Sequence, residues 1–328
     1  MATALLAAAA APSYPVLLAA LALYGPGSGL GTGLAESALA AADPARREAA
    51  LARWNLAGTI GDLLAPAALA AAVALGLGWR GALAAVAALT VLHAIALART
   101  PQPAAGAGPD EEEVPGAGTA LGAAIRAAVG APALLGWTVA TALCSFLDEV
   151  LVSFGALWLD AQLGASPAER AAVFVAWEVG AIAGSVALER LVHRAAPRTL
   201  LLGAGLGSLA SYVAWLAAPG WQASAAAAAV SGLFTAAHYP LLKARAFAAL
   251  PGRPELVQAV GSAVGALDLA IPVAVGLVAD RAGLLAAMAL LAAQPVGVVV
   301  AALASRTARA PAPERTARRT SKRELAQR

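Results

Sequence analysis

The chain contains little of what most soluble and metal-binding proteins use. Its 328 residues include one cysteine, 12% charged residues and 5% aromatic residues. The lone Cys144 excludes an intramolecular disulfide and the paired-cysteine spacings of zinc sites. The low charge excludes a typical soluble domain, in which about a quarter of the residues are charged, and a disordered chain, which is polar and charge-rich.

Motifs for catalysis and nucleotide binding are also absent from the sequence. It has no Walker-type loop followed by Lys and Ser or Thr, no HExxH and no GxSxG. The net charge is only +3, and the basic residues are concentrated in short loops and the C-terminal tail, which does not favour a nucleic-acid surface. The sequence therefore predicts no cofactor, no metal site and no nucleic-acid partner, and it disfavours an enzyme.

Apolar residues are abundant instead, at 60% of the chain, with a mean hydropathy of +0.75. A helix needs about 20 apolar residues to cross the ~30 Å hydrocarbon core of a bilayer, and lipid offers no partner to free backbone amides. Residues 1–11 are apolar but too short to cross. The sequence therefore predicts an all-α membrane protein with about nine transmembrane helices, at 14–40, 55–77, 82–98, 133–159, 169–189, 199–218, 221–249, 256–279 and 283–304.

Basic and base-poor loops alternate along the chain, which predicts its orientation. By the positive-inside rule the basic loops are cytoplasmic, so the first span is expected to begin on the outer side of the membrane. The expected location is the cell membrane. Lys243 and Arg245 are interpreted as anchors that snorkel to the cytoplasmic interface. Four regions are predicted: an incomplete N-terminal bundle (1–99), a Pro-, Gly- and acid-rich cytoplasmic linker (100–132), a six-helix bundle (133–304) and a basic cytoplasmic tail (305–328).

Two segments of the sequence resemble each other. Residues 47–66 and 253–272 align without gaps, so that Arg47 matches Arg253, Asp62 matches Asp268 and Pro66 matches Pro272. The copies lie in the first two spans and in the seventh and eighth, six spans apart. Related halves are typical of secondary transporters.

The six-span offset, the central linker and the basic loops together resemble the major facilitator superfamily over nearly the whole chain. Residues 58–66, GTIGDLLAP, are similar to the family's fifth-helix GxxxGP motif, with Ala65 in place of the second Gly. Residues 276–283 are similar to a run between its last two helices. The family's cytoplasmic loop motif reads G-x-x-x-[DE]-[RK] and is followed by basic residues. This chain has a similar run with Ser in place of the Gly, formed by Ser185, Glu189, Arg190 and Arg194.

This resemblance implies a helical bundle equivalent to helices 4–12 of a twelve-helix fold, with the first two to three helices expected to be missing. It implies a secondary active transporter of a small organic solute that works by alternating access, with proton-coupled efflux as one mode. The alternatives are a truncated, non-transporting remnant and a membrane-embedded enzyme. The expected partners are a small-molecule substrate, protons and the lipid bilayer.

Seven ionisable residues inside the predicted spans are candidates for the transport pathway or proton coupling, because a charge at mid-helix costs about 2.5–3.5 kcal/mol to insert. Adjacent helical residues point about 100° apart, so one of the neighbours Asp148 and Glu149 is expected to line the pathway while the other meets a helix. The alternative for an acid four residues before a proline is to satisfy backbone groups freed by the kink. For His238 the alternative to a role in proton transfer is a packed, hydrogen-bonded side chain. The seven are Glu36, Asp62, Asp148, Glu149, Glu178, His238 and Asp268.

Overall fold

The computed structural model of the chain describes residues 1–100 and 130–305, together with residues 122 and 126. The predicted linker at 100–132 and the predicted tail at 305–328 therefore lie almost wholly outside the described residues. Within the described part all regular structure is helical: α1 (Ala2–Ala9), α2 (Tyr14–Ala42), α3 (Arg47–Ala74), α4 (Gly78–Arg99), α5 (Pro132–Ala142), α6 (Glu149–Leu163), α7 (Pro167–Leu191), α8 (Pro197–Leu216), α9 (Trp221–Thr235), α10 (His238–Ala249), α11 (Pro254–Gly265), α12 (Ile271–Ala282), α13 (Leu284–Leu291) and α14 (Ala293–Ala304).

Eight stretches of the described residues are long and apolar enough to cross a membrane, and they coincide with eight of the nine predicted spans. The remaining prediction, 256–279, falls on α11 and α12, which a 3-10 turn at Ala266–Ala270 joins end to end. A second 3-10 turn, Leu143–Leu147, joins α5 to α6 within one span. Helix α1 is too short to cross, as predicted, and packs against α2 and α4.

Proline and capping residues set where several of these helices begin. Helices α5, α7, α8 and α11 each have a proline in the first turn, where its missing N–H and fixed φ cost nothing. The start of α7 also has a capping box: the Ser166 hydroxyl accepts from the Glu169 amide, and the Glu169 carboxylate accepts from the Ser166 amide. This cap fixes the helix that carries Glu178.

The two halves of the chain differ in how much of their surface they bury. In the N-terminal half (α1–α4), the most apolar windows of α2, α3 and α4 are 11%, 6% and 6% buried, whereas the spans of the C-terminal half (α5–α14) are 33–50% buried. The largest apolar cluster lies in the C-terminal half and includes Leu159, Tyr212 and Met288. The Tyr212 hydroxyl donates to the Met288 carbonyl at 2.7 Å, which ties α8 to α13.

The closest helix pair in the C-terminal half is α7 with α9. At Gly180 and Gly184 of α7, an added Cβ would overlap the backbone carbonyls of Ala229 and Leu233 on α9. Glycine at these positions lets the two backbones touch. This contact positions α7, the helix that carries Glu178, against α9.

The two halves meet at one end of the bundle. This basic end, where the loops carry Arg46, Arg190 and Arg253, is the end that the sequence predicts to be cytoplasmic. A buried apolar cluster there joins Ala40 and Leu51 of the N-terminal half to residues of α5, α10 and α11, including Phe247 and Val257. The halves are therefore packed together at the basic end.

Candidate functional site

A cavity of about 700 Å³ lies between the two halves. Its walls come from both of them, chiefly α2 and α3 on one side and α5, α7, α10 and α11 on the other. The seven ionisable residues that the sequence singles out all line it: Glu36, Asp62, Asp148, Glu149, Glu178, His238 and Asp268. The structure thus brings together side chains from across more than 230 positions of sequence.

Two of these carboxylates stand at breaks in the helices. Asp148 follows the 3-10 turn that ends α5 and has φ −116° and ψ −91°, outside the helical region. Asp268 lies within the second 3-10 turn. Interrupted helices at a central cavity are the usual way in which secondary transporters expose polar groups at mid-membrane depth.

The prediction that only one of Asp148 and Glu149 lines the pathway, while the other meets a neighbouring helix, is wrong. Both side chains line the cavity and both residues are exposed to it. The 100° rule applies to neighbours in a regular helix, and Asp148 is not in one. The break turns both carboxylates to the same space.

Five of the lining carboxylates have no hydrogen bond or salt bridge to any described residue: Asp62, Asp148, Glu149, Glu178 and Asp268. All five line the same cavity, with Asp62 on the N-terminal half and the others on the C-terminal half. The carboxylate of Asp268 also has one buried oxygen without a partner among the described residues. Neither Asp62 nor Asp268 is therefore seen satisfying backbone groups near its proline.

The sixth carboxylate, Glu36, belongs to a buried ion pair at the floor of the cavity. Its Oε2 lies 3.1 Å from the Lys243 Nζ, and its Oε1 accepts from the Tyr239 hydroxyl at 2.5 Å. Lys243 is 8% exposed, so its interpretation as a snorkelling anchor is wrong. Because α2 and α10 belong to different halves, this pair joins them.

His238 sits in a fully satisfied hydrogen-bond network. The Leu147 amide donates to the Gln294 Oε1 at 2.7 Å, which leaves the Gln294 Nε2 to donate to the His238 Nδ1 at 3.1 Å. The His238 Nε2 then carries the proton and faces the Ser208 hydroxyl at 3.2 Å. Ser208 in turn donates to the Gly205 carbonyl. The ring is fully buried, and these contacts match the alternative of a packed, neutral histidine.

The residues of the predicted loop motif lie at the basic end, outside the cavity. Glu189 accepts from the Arg53 Nε at 2.6 Å, which forms a second link between the halves. Arg190 turns back to the Val186 carbonyl of its own helix, and Arg194 lies exposed beyond its end. Ser185 is 1% exposed, and its hydroxyl has no partner among the described residues.

Among the described residues, the side-chain hydrogen bonds and salt bridges between the halves lie at the basic end and involve only Glu36, Arg53, Glu189, Tyr239 and Lys243. Gly33 of α2 also approaches α11 so closely that an added Cβ would lie 2.6 Å from the Gln258 Nε2. The cavity is therefore closed toward the basic end.

The described residues form helices, eight stretches of which are long and apolar enough to cross a membrane, and this is the architecture of a multi-pass membrane protein. The structure is similar to a crystal structure of a point variant of the E. coli fucose:proton symporter FucP, with a TM-score of 0.70. The match covers 93% of this chain and 81% of that chain at 17% sequence identity. No family model and no curated protein matches the sequence.

This similarity confirms the predicted fold class, an all-α membrane protein with a helical bundle like that of the major facilitator superfamily. At 17% identity it shows the fold and nothing about substrate. The numbering of the spans as helices 4–12 stays a prediction.

Sequence reasoning missed several residues that shape the cavity. Lys243, Thr138 and Trp54 all line it. A signal existed for Lys243, because it is one of only two lysines in the chain and follows His238 by five residues within an apolar segment. The buried position of Thr138 has no comparable signal, since threonine is common in both lipid-facing and inward-facing positions.

Proposed function

We propose that the protein is a secondary active transporter in the cell membrane that carries a small organic solute through the central cavity and couples its movement to protons. The observation that carries this proposal is the set of five unpaired carboxylates in a cavity between two halves. Ionisable groups are costly inside a membrane and face aqueous pathways when they occur there. The FucP-like fold supports the same function, since that protein is named as a proton-coupled symporter.

The conformation fits one state of an alternating-access cycle. The halves are joined at the basic end by the Glu36–Lys243 and Arg53–Glu189 pairs, and the cavity carboxylates Asp62, Asp148 and Glu149 are exposed. If the basic end is cytoplasmic, this is the outward-facing state. Opening the cavity toward the basic end requires both ion pairs to separate, because each pair has one partner in each half.

Glu178 is our first choice for the proton-coupling carboxylate. It lies near the middle of α7, it is half-buried, and it lines the cavity together with acids of both halves. A carboxylate that binds a proton in one state and releases it in the other links the proton gradient to the movement of the halves. A membrane potential contributes about 2.3 kcal/mol per charge per 100 mV to such a cycle.

The test uses the full chain reconstituted into vesicles with an imposed proton gradient and a panel of radiolabelled cationic, neutral and anionic organic solutes. We expect Glu178→Gln to abolish proton-driven flux while exchange of solute across the membrane without a gradient persists. Asp160→Asn is the matched control, because Asp160 lies on α6 outside the cavity and pairs with Arg170. Proton-driven flux that is unchanged in the Glu178→Gln variant would remove Glu178 from the coupling role. A panel with no solute moved by the wild-type chain would overturn the transporter proposal.

A further inference from the structure

We infer that the transported solute is an organic cation; this rests on the proposed transport function and names its substrate class. The inference begins with the charges of the cavity lining. Among the described residues that line it, six are carboxylates and one is a Lys or Arg. Lys243 already neutralises Glu36 at 3.1 Å, so five carboxylates have no counter-charge.

Like charges that share a cavity of low dielectric repel one another, and each is favoured by a positive charge placed among them. Asp62 of the N-terminal half and Asp148 and Glu178 of the C-terminal half line this one cavity. A cation in the space between them is attracted by all three at once. An anion in the same place is repelled by all three, and a neutral solute leaves the repulsion in place.

The size of the cation follows from how the acids are spread. No three of the described His, Cys, Asp and Glu side chains are close enough to hold a metal ion. The carboxylates come from α3, from the two helix breaks and from α7, around a cavity of about 700 Å³. A compact ion could not touch them together, whereas an organic cation can extend from one wall to another.

The rest of the lining offers contacts that suit such a cation. Trp54 on α3 and Trp177 on α7 are lining residues from opposite halves, and aromatic faces attract ammonium groups. Thr138 also lines it, is only 6% exposed, and has a hydroxyl without a hydrogen-bond partner among the described residues. A buried hydroxyl without a partner is uncommon, and an N–H or O–H donor of a bound organic cation satisfies its oxygen.

The same carboxylates also bind protons, so the cation and the proton compete for them. Entry of one monovalent cation onto a protonated pair of carboxylates releases one proton, which keeps the charge of the cavity constant. Release of the cation on the other side lets a proton return. The competition makes exchange of the two, rather than their movement together, the expected mode.

Binding to the purified full chain tests the charge preference without relying on transport. Ethidium, a fluorescent organic cation, serves as the reporter, and choline and its neutral isostere 3,3-dimethyl-1-butanol serve as competitors. We expect choline to displace ethidium and the alcohol to leave it bound. Asp148→Asn and Asp62→Asn should each weaken ethidium binding about tenfold or more, and Asp160→Asn should leave it unchanged.

The folding of each variant is checked by its thermal unfolding midpoint. Removing one of several repelling charges should leave the midpoint at or above that of the wild type, so weaker binding cannot be attributed to unfolding. Equal displacement by choline and by the alcohol would overturn the cation assignment. So would the absence of any ethidium binding to the folded wild-type chain, or an equal effect of Asp160→Asn.

Vesicle transport separates this inference from the proposed function. Proton-driven movement of choline but not of the alcohol supports both. Movement of the alcohol or of an anion, without movement of cations, supports the proposed transport function and overturns the inference that the solute is a cation. A third outcome is that the wild type binds cations, Asp148→Asn does not, and no solute in the panel moves. This outcome supports the cation site and overturns the proposed transport function.

Discussion

The buried pair of Glu36 and Lys243 shows how a single residue changes meaning between sequence and structure. By position, Lys243 has the pattern of an interfacial anchor, because it falls six residues before the end of α10 at the basic end. In the fold the side chain turns inward, where Glu36, Tyr239 and the ring of Phe247 surround it. The carboxylate that decides its direction lies 207 positions earlier, so no local pattern contains it.

Removing one member of this pair should destabilise the protein more than removing both. Lys243→Met leaves Glu36 buried without its counter-charge, which costs about 3–5 kcal/mol. The double variant Glu36→Gln with Lys243→Met should recover most of that loss. Thermal or denaturant unfolding in detergent measures all three. A single variant as stable as the wild type would mean that the pair is open to water.

The seven ionisable candidates could be found from the sequence because the membrane penalises each of them individually. Their convergence on one cavity could not be found in that way, since it depends on how α3, α7 and the two helix breaks pack. His238 was selected by the same rule, and the network of Gln294 and Ser208 around it matches a structural role. The rarity of ionisable residues in apolar spans therefore identifies candidates, but it does not distinguish residues that could contact a solute from residues that only pack inside the protein.

At the scale of the element, the breaks in two spans are the main feature that hydropathy does not predict. The turn at Ala266–Ala270 has a signal, because Gly265 precedes it and Pro272 follows it. The turn at Leu143–Leu147 has none, since residues 137–154 contain neither Gly nor Pro. Both breaks place an aspartate at the cavity, so their function depends on backbone shape as much as on residue type.

The contact between α7 and α9 depends on glycine and gives a prediction at this scale. Gly180→Ala adds a methyl group where the Ala229 carbonyl lies, so the helices must separate. We expect a loss of about 1–3 kcal/mol in unfolding free energy, the usual cost of overpacking. Gly203→Ala on α8 is the matched control, since nothing lies within 4 Å of its added Cβ and alanine favours a helix. An unfolding midpoint of Gly180→Ala equal to that of Gly203→Ala would contradict the packing described.

At the scale of the whole molecule, the proposed transport cycle requires the closed basic end to open. Gly33 and Gln258 face each other there, one in each half. In a background with Cys144→Ser, Gly33→Cys with Gln258→Cys should form a disulfide on oxidation. The cross-linked protein should still bind ethidium and lose flux, and a reductant should restore the flux.

The single variant Gly33→Cys, treated with the same oxidant, is the control for this cross-link. It should keep its flux, because Cys144 is the chain's one natural cysteine and is replaced in the same background. Full flux in the cross-linked double variant would mean that the halves do not separate at the basic end during transport.

The unequal burial of the two halves has a consequence for how each helix is held in place. Within the described residues, the C-terminal half is held largely by its own side chains, whereas α2, α3 and α4 bury few of theirs. Helix α3 has more contacts with α7 and α10 of the C-terminal half than with its own neighbours α2 and α4. Among the described contacts, the position of α3 is therefore set mainly by the opposite half, so a movement between the halves breaks more of its contacts than a movement within its own half.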